Sequence, residues 1–209
     1  MSAEVVCVEL KGLMGGLYRA SEWAMRLAYV NLLWILFILL GLGLFGAMPA
    51  TVAMFAVTRK WVMGDTDIPV FVTFWRAYRG EFVQANLIGL ALVVIGGVLY
   101  LDVKYFYAQH TPIFQIIEIA ILSLLLLFWI IVLYIFPVFV HFQLKTLDYF
   151  KYAFFIGVSH PLRTLMMVVG SVVVFIMITS FPQLIFLFSG SGLSFWLMWL
   201  AFQSFPKLE

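Results

Sequence analysis

Four long stretches of the chain contain no Asp, Glu, Lys or Arg, and they constrain the fold more than any other feature. They are 27–58, 82–101, 119–144 and 164–206. A helix needs about 20 apolar residues to cross the hydrocarbon core of a bilayer. Because 65% of the residues are hydrophobic and 11% are charged, the chain has too little polar surface to cover a water-soluble core. We therefore expect an all-α, polytopic membrane helix bundle.

The first stretch is too long for one span and barely long enough for two. In GAMPATVAMFAVTRKW (46–61), Gly46 and Pro49 are expected to form a turn, since both residue types favour turns and proline is tolerated in the first turn of a helix. Residues 48–63 would then form a short second helix. This helix either returns across the membrane or re-enters it and packs among the other helices.

The distribution of basic residues favours a return across the membrane, because cytoplasmic loops carry an excess of Lys and Arg. With a return helix, eleven basic residues lie on one side and only Lys104 lies on the other, whereas a loop at 46–61 gives a split of eight to four. The pattern therefore predicts both termini in the cytoplasm. A break is expected at SGSG (189–192), since Gly and Ser favour turns. The six expected helices are 20–45, 48–63, 80–103, 112–142, 161–187 and 192–205.

Two segments between these helices mix aromatic and basic residues. In residues 64–79, Gly64 to Asp67 is expected to be a turn with Asp or Thr as a helix cap. The apolar residues that follow recur at helical spacing, which predicts an amphipathic helix at the membrane interface. Residues 141–164 repeat this composition, and His160-Pro161 is expected to restart a helix. A contact surface for a partner or for lipid is predicted at Arg59, Lys60, Trp75, Arg76 and Arg79.

Polar residues within apolar helices are functional candidates, because burying them in a membrane is unfavourable. Asp102, Lys104 and Glu118 lie near the outer helix ends, where they are expected to form either an external vestibule or charge pairs. No acidic residue is expected at the midplane, which argues against an ion-coupled transporter. The uncharged candidates for a polar path are Asn31, Gln84, Asn86 and Gln183.

Other features narrow the function classes. Gly41, Gly46 and Ala50 are spaced for close helix packing, or they belong to a simple tight hairpin. With one cysteine and three scattered histidines, we expect no metal site, no cofactor and no catalytic set. The net charge of +2 is too small to indicate a nucleic-acid partner. Leu208-Glu209 is typical of residues that cloning leaves ahead of an affinity tag.

Four stretches carry a resemblance to a known family. They are MGGLYRASEWAMRLAYVNLLWILF (14–37), GAMPATVAMFAVTRKWVMGD (46–65), FWRAYRGEFVQANLIGL (74–90) and YIFPVFVHFQLKTLDYFKYAF (134–154). In order and spacing they resemble the YesL family of bacterial membrane proteins. The usual start of the family falls at Met14, so residues 1–13 are interpreted as an extension and 14–207 as one integral membrane domain. The positions most like the family are Pro49, Thr51, Arg59, Lys60, Phe74, Asn86 and Pro137.

The resemblance implies a multi-pass protein of the bacterial cytoplasmic membrane. Family members tend to be encoded beside carbohydrate ABC importers, solute-binding proteins and sensor kinases. This implies an accessory or regulatory component of oligosaccharide uptake that is not an enzyme, with ABC permease subunits or a sensor kinase as partners beside the membrane lipids. The alternatives are an autonomous small-solute transporter or channel, as a homo-oligomer, and a lipid-binding scaffold.

Overall fold

The computed structural model describes residues 3–107, 112–181 and 185–205, and within them the chain forms eight helices and no strand. The all-α prediction is confirmed. The helices are α1 (Ala3–Leu40), α2 (Leu44–Val62), α3 (Val70–Gly80), α4 (Phe82–Tyr107), α5 (Pro112–His141), α6 (Thr146–Ser159), α7 (Pro161–Ser180) and α8 (Ile185–Ser204).

Three helical segments of the described chain are long and apolar enough to cross a membrane: Gly15–Leu40, Phe82–Tyr107 and Phe114–His141. The pair α6 and α7, bent by 101°, adds a fourth if the two helices form one span. Large apolar side chains cover the outside of the bundle. Water does not tolerate apolar surface on this scale, whereas lipid does. The chain is therefore a helical membrane protein.

The long helices pack as three successive antiparallel hairpins, α1–α2, α4–α5 and α7–α8. The second helices, α2, α5 and α8, all contact one another. Each first helix also contacts the second helix of another hairpin: α4 packs on α2, α7 on α5 and α1 on α8. The three hairpins therefore close into a ring, with α2, α5 and α8 on the inside.

The two segments that mix aromatic and basic residues contain helices, as predicted, and each helix packs against the long helix that precedes it. In α3, Phe74 and Tyr78 are buried against Phe37 of α1, with ring centroids 5.2 and 4.9 Å away, and the Tyr78 hydroxyl donates to the Phe37 carbonyl oxygen. The other helix, α6, packs along α5 in the same way. These short helices fill the outer grooves of the first two hairpins.

The predicted cap of α3 is wrong. Its N-cap residue is Pro69, and no side chain caps the helix. Asp67 instead accepts a hydrogen bond from Arg26 at 3.3 Å, which joins the α2–α3 connection to α1. Asp67 lies two residues before the N-cap position, and its carboxylate is directed to Arg26.

The predicted turn at Gly46 and Pro49 is also wrong, as is the range 20–45 for the first helix. The helix begins at Ala3 and ends at Leu40, and residues 41–43 make the turn. Gly43 has a φ of 74°, which glycine adopts at little cost because it has no Cβ. Pro49 lies inside α2.

The small residues pack closely within a tight hairpin, so both of the expected interpretations hold. A Cβ on Gly46 would lie 2.6 Å from the carbonyl oxygens of both Phe37 and Ile38, and a Cβ on Gly41 would meet the backbone of Gly46. Ala50 is fully buried. Small residues therefore allow the α1–α2 hairpin to close with its backbones in contact.

The expected break at SGSG (189–192) is wrong, and so are the ranges 161–187 and 192–205. The break lies after Ser180, just ahead of Pro182 in the sequence, because the residue before a proline disfavours helical conformation. The SGSG segment lies inside α8, where the Asn31 side-chain oxygen accepts hydrogen bonds from the Gly190 and Ser191 N–H groups at 2.9 and 3.1 Å. Its small residues serve close packing between α8 and α1. The restart at His160-Pro161 is confirmed.

Candidate functional site

A cavity of about 810 Å³ opens at the end of the bundle where α2 and α5 terminate. Its walls are the last turns of α2, one face of α3, the start of α4 and the end of α5 with the residues that follow it. The polar residues that line it are Arg59, Lys60, Thr73, Arg76, Glu81, Gln84, His141, Gln143 and Tyr149. We call it the basic cleft, after Arg59, Lys60 and Arg76.

Arg59 is held in the wall of the basic cleft by His141. The Arg59 Nε atom donates to His141 Nδ1 at 3.3 Å. Because Nε can only donate, Nδ1 is the acceptor of this bond. The His141 ring packs on Phe205 at the end of α8, with centroids 4.5 Å apart. Residues from three parts of the bundle therefore fix the guanidinium, which keeps further N–H donors for a ligand or partner.

The electrostatic balance of the basic cleft is positive. Arg59, Lys60 and Arg76 face a single carboxylate, that of Glu81. The structure shows two ion pairs in the described part of the chain, and both belong to Arg26, with Glu22 at 2.6 Å and with Asp67. The three cations of the cleft therefore leave a net positive charge for an anionic partner to neutralise.

The structure brings together three residues of the predicted contact surface and one of the predicted polar path. Arg59, Lys60, Arg76 and Gln84 all line the basic cleft. Trp75 and Arg79 do not: the Trp75 ring lies 5.6 Å from that of Phe37, and Arg79 is exposed on another side of α3. That these residues contact a partner or lipid stays a prediction.

The other residues of the predicted polar path lie apart from one another. Asn31 accepts hydrogen bonds from two N–H groups of α8. Asn86 donates from Nδ2 to the carbonyl oxygens of Phe45 and Phe82 at 3.0 and 2.9 Å. Both amides therefore join helices, and Gln183 lies outside the described residues. A continuous polar path stays a prediction.

The predicted outer vestibule falls on the distal ends of α4 and α5. Asp102, Lys104 and Glu118 all lie in the described part of the chain, and the structure shows no ion pair among these three residues. The expected pairing of these charges with one another is therefore wrong, because the side chains do not come within ion-pair distance. The vestibule itself stays a prediction.

Sequence reasoning missed His141, Glu81 and Gln143 as members of the cleft. A signal for His141 was available, because it is the first polar residue after the apolar run of α5, where a helix leaves the membrane. Its contact with Arg59 spans 82 positions in sequence. Only the packing of α2 against α5 reveals it.

A second cavity, of about 620 Å³, lies in the angle between α6 and α7 and is closed by the end of α8. We call it the elbow cavity. Its basic lining residues are Lys151, His160 and Arg163, and none of its lining residues is acidic. Phe205 lines it and also packs on Phe142, which lines the basic cleft, with ring centroids 5.2 Å apart. The two cavities are therefore neighbours at the same end of the bundle.

In the described part of the chain, no three His, Cys, Asp or Glu side chains cluster closely enough to hold a metal ion. The basic cleft offers Arg and Lys side chains, which repel a cation. That the protein uses no metal or cofactor stays a prediction.

An all-α chain with several membrane-length helices and polar cavities at one end defines a polytopic helical membrane protein. Residues 27–103 match a family model described as "Protein of unknown function, DUF624". The chain is 40% identical to the uncharacterized protein YteU of Bacillus subtilis, over 97% of this chain and 90% of YteU. It is 40% identical to the uncharacterized protein YesL of the same organism, over 93% of this chain and 91% of YesL.

The uncharacterized protein YesV of Bacillus subtilis is 37% identical over 92% of this chain and 93% of its own length. The protein belongs to the YesL family, as the resemblance of its motifs predicted. No solved structure matches it.

Proposed function

We propose that the protein is an accessory or regulatory component of carbohydrate uptake in the cytoplasmic membrane of a bacterium. In this role it docks a partner protein at the basic cleft. The observation that carries the proposal is the convergence of Arg59, Lys60 and Arg76 in one open cavity. The link to carbohydrate uptake rests on what membership of the YesL family implies.

The proposed topology has both termini in the cytoplasm and a short α2 that re-enters the membrane and packs among the other helices. Asn86, two residues after Gln84 of the cleft wall, bonds Phe45 in the first turn of α2 at 3.0 Å. The first turns of α2 and α4 therefore lie side by side, whereas a spanning α2 would separate them by the roughly 30 Å of the hydrocarbon core. Arg59 and Lys60 lie in the last turn of α2, at the cleft. The excess of basic residues at this end supports a cytoplasmic location for both cavities.

The chemistry of the basic cleft favours an acidic protein segment as partner. Three cations around one carboxylate attract negative charge, and fixed charges at an interface orient the partner and accelerate association. Thr73, Gln84 and Gln143 add hydrogen-bonding groups to the lining. A cytoplasmic segment of an ABC permease subunit or of a sensor kinase is the partner that the family implies.

The test is a crosslinked pull-down of the tagged protein from its native membrane, with partners identified by mass spectrometry. We compare the wild type with Arg76→Glu and with the double variant Arg59→Glu, Lys60→Glu. Arg79→Glu is the matched control, since it makes the same charge change as Arg76→Glu on the same helix but outside the cleft. We expect the cleft variants to lose the permease subunit or kinase while Arg79→Glu retains it.

Equal loss in Arg79→Glu would contradict the basic cleft as the docking site. Unchanged partner recovery in the cleft variants would contradict it as well, provided that all variants insert at wild-type levels. Recovery of the protein alone, as a homo-oligomer, would contradict the accessory role. The autonomous transporter would then be tested by solute flux into proteoliposomes.

A further inference from the structure

The elbow cavity exists because α6 and α7 meet at 101°. The bend falls at His160, which has a φ of −126° and a ψ of 64° and precedes Pro161, the first residue of α7. The residue before a proline disfavours helical conformation, so the two helices cannot continue as one. The end of α8, at Gln203 to Phe205, forms the third wall.

The inside of the elbow cavity is suited to an anion. Lys151, His160 and Arg163 line it without any acidic residue, in contrast to the basic cleft, where Glu81 offsets part of the charge. Arg163 Nη1 donates to the Gln203 carbonyl oxygen, which positions the guanidinium against α8. This bond uses one of the five N–H donors of arginine, and the others suit the oxygens of a phosphate group.

The rim of the elbow cavity is suited to hydrocarbon. Phe155 lines the cavity and is itself 58% exposed. Tyr152, one turn before Phe155 on α6, also lines the cavity and is 44% exposed. A soluble phosphate compound needs only the cations, whereas a phospholipid needs cations for its head group and an adjoining apolar surface for its acyl chains. The elbow cavity has both.

We infer that the elbow cavity binds an anionic glycerophospholipid. Its phosphate lies among Lys151, His160 and Arg163, and its acyl chains run along Phe155 and Tyr152 of α6. The cavity volume of about 620 Å³ falls within the roughly 300–1,000 Å³ of small-molecule sites. The ligand class follows from charge complementarity inside and apolar continuity outside.

The test is native mass spectrometry of the full-length protein in detergent, titrated with phosphatidylglycerol, phosphatidylcholine or inorganic phosphate. The variants are Lys151→Gln alone and Lys151→Gln with Arg163→Gln. The charge-matched control is Arg79→Gln with Lys145→Gln, because neither residue lines either cavity. Size-exclusion profiles and thermal unfolding verify that each variant is folded.

We expect the wild type and the control to retain one phosphatidylglycerol in preference to phosphatidylcholine. Lys151→Gln should weaken this binding about 5-fold, and the double variant roughly 10- to 30-fold, since a basic residue near an anionic lipid contributes about 1 kcal/mol. If the double variant is unfolded, Lys151→Gln alone decides, because its side chain is exposed on α6.

Three outcomes would overturn the assignment. Equal binding of phosphatidylcholine and phosphatidylglycerol would show that the charge of the lipid does not determine binding. Equally weakened phosphatidylglycerol binding in the control would show that the lipid does not bind in the elbow cavity. Competition by inorganic phosphate at millimolar concentration, without retention of lipid, would replace the phospholipid by a soluble phosphate. These measurements use the protein without a partner, so a failure of the proposed docking at the basic cleft would leave them unchanged.

Discussion

Asn86 of α4 donates a hydrogen bond from Nδ2 to the carbonyl oxygen of Phe45 in α2, at 3.0 Å. Phe45 lies four residues before Pro49. In a regular helix the N–H of residue 49 would donate to the Phe45 oxygen, but proline has no N–H. The proline therefore opens a gap in the hydrogen bonds of α2, and a side chain from the next hairpin fills it. An apolar environment makes such a bond necessary, because lipid offers no alternative donor.

The first prediction follows from this relationship. Asn86→Ala should destabilise the protein by about 1 kcal/mol, the scale of interhelical hydrogen bonds in membranes. In a Pro49→Ala background the alanine N–H can bond the Phe45 oxygen, so the same substitution should be about half as destabilising. Unfolding in detergent with increasing SDS measures all four proteins of this double-mutant cycle.

The control for this cycle is Gln84→Ala, which removes a neighbouring amide that lines the basic cleft. Its effect on stability should be the same in the wild-type and the Pro49→Ala backgrounds. If Asn86→Ala is equally destabilising in both backgrounds, the hydrogen bond to Phe45 does not compensate for the proline.

Hydropathy and charge predicted the order of the helices but not the positions of the turns between them. The amphipathic segments at 64–79 and 141–164 and the restart at Pro161 follow from local spacing, so sequence was enough for them. The turn was placed at Pro49 rather than at residues 41–43 because proline usually marks a helix start. Only the distant Asn86 makes a proline acceptable further inside α2, and sequence does not show that contact.

The candidate site was predictable to the extent that it lies on one helix face. With 3.6 residues per turn, Val72, Thr73, Arg76 and Gly80 share the face of α3 that lines the cleft, while Trp75 and Arg79 point elsewhere. The predicted contact surface included Trp75, Arg76 and Arg79 from this segment, and two of these three residues lie off the cleft. The contribution of α5 through His141 required the tertiary structure.

The second prediction concerns Asn31, whose fully buried side chain accepts hydrogen bonds from two N–H groups of α8. Asn31→Leu has a similar volume but no acceptor, so the part-buried Gly190 N–H and the buried Ser191 N–H both lose this partner. We expect a loss of about 1–3 kcal/mol in stability, measured by the same unfolding assay. Ser123→Ala is the control, since the exposed Ser123 hydroxyl donates a hydrogen bond within its own helix. This substitution should change the stability by less than about 0.5 kcal/mol. Equal effects of the two substitutions would exclude a special role for Asn31.

The third prediction compares two helical glycines. A Cβ on Gly46 would lie 2.6 Å from two backbone oxygens of α1, whereas a Cβ on Gly97 of α4 would meet nothing within 4 Å. Gly46→Ala should therefore destabilise the protein by about 1–3 kcal/mol through overpacking. Gly97→Ala should stabilise it by up to about 1 kcal/mol, since alanine favours helix. Thermal unfolding in detergent should show these opposite signs, and unchanged stability of Gly46→Ala would contradict the close α1–α2 packing.

The fourth prediction tests the topology, and its decisive position is Leu44. In a Cys7→Ser background we introduce one cysteine at a time, as Leu44→Cys, Asp65→Cys, Tyr107→Cys or Lys145→Cys. These positions are exposed and lie at the α1–α2 turn, the α2–α3 connection, the end of α4 and the start of α6.

With a re-entrant α2, a membrane-impermeant maleimide added to intact cells should label position 107, should reach positions 65 and 145 only after permeabilisation, and should leave position 44 unlabelled from both sides. The physical reason is that the bond between Asn86 and Phe45 holds the start of α2 beside the start of α4, close to the cleft wall and within the membrane. If position 44 reacts from outside together with 107, the α1–α2 turn reaches the outer face and α2 crosses the bilayer. Labelling of position 65 in intact cells would instead place the basic cleft outside the cell, where no cytoplasmic partner can reach it.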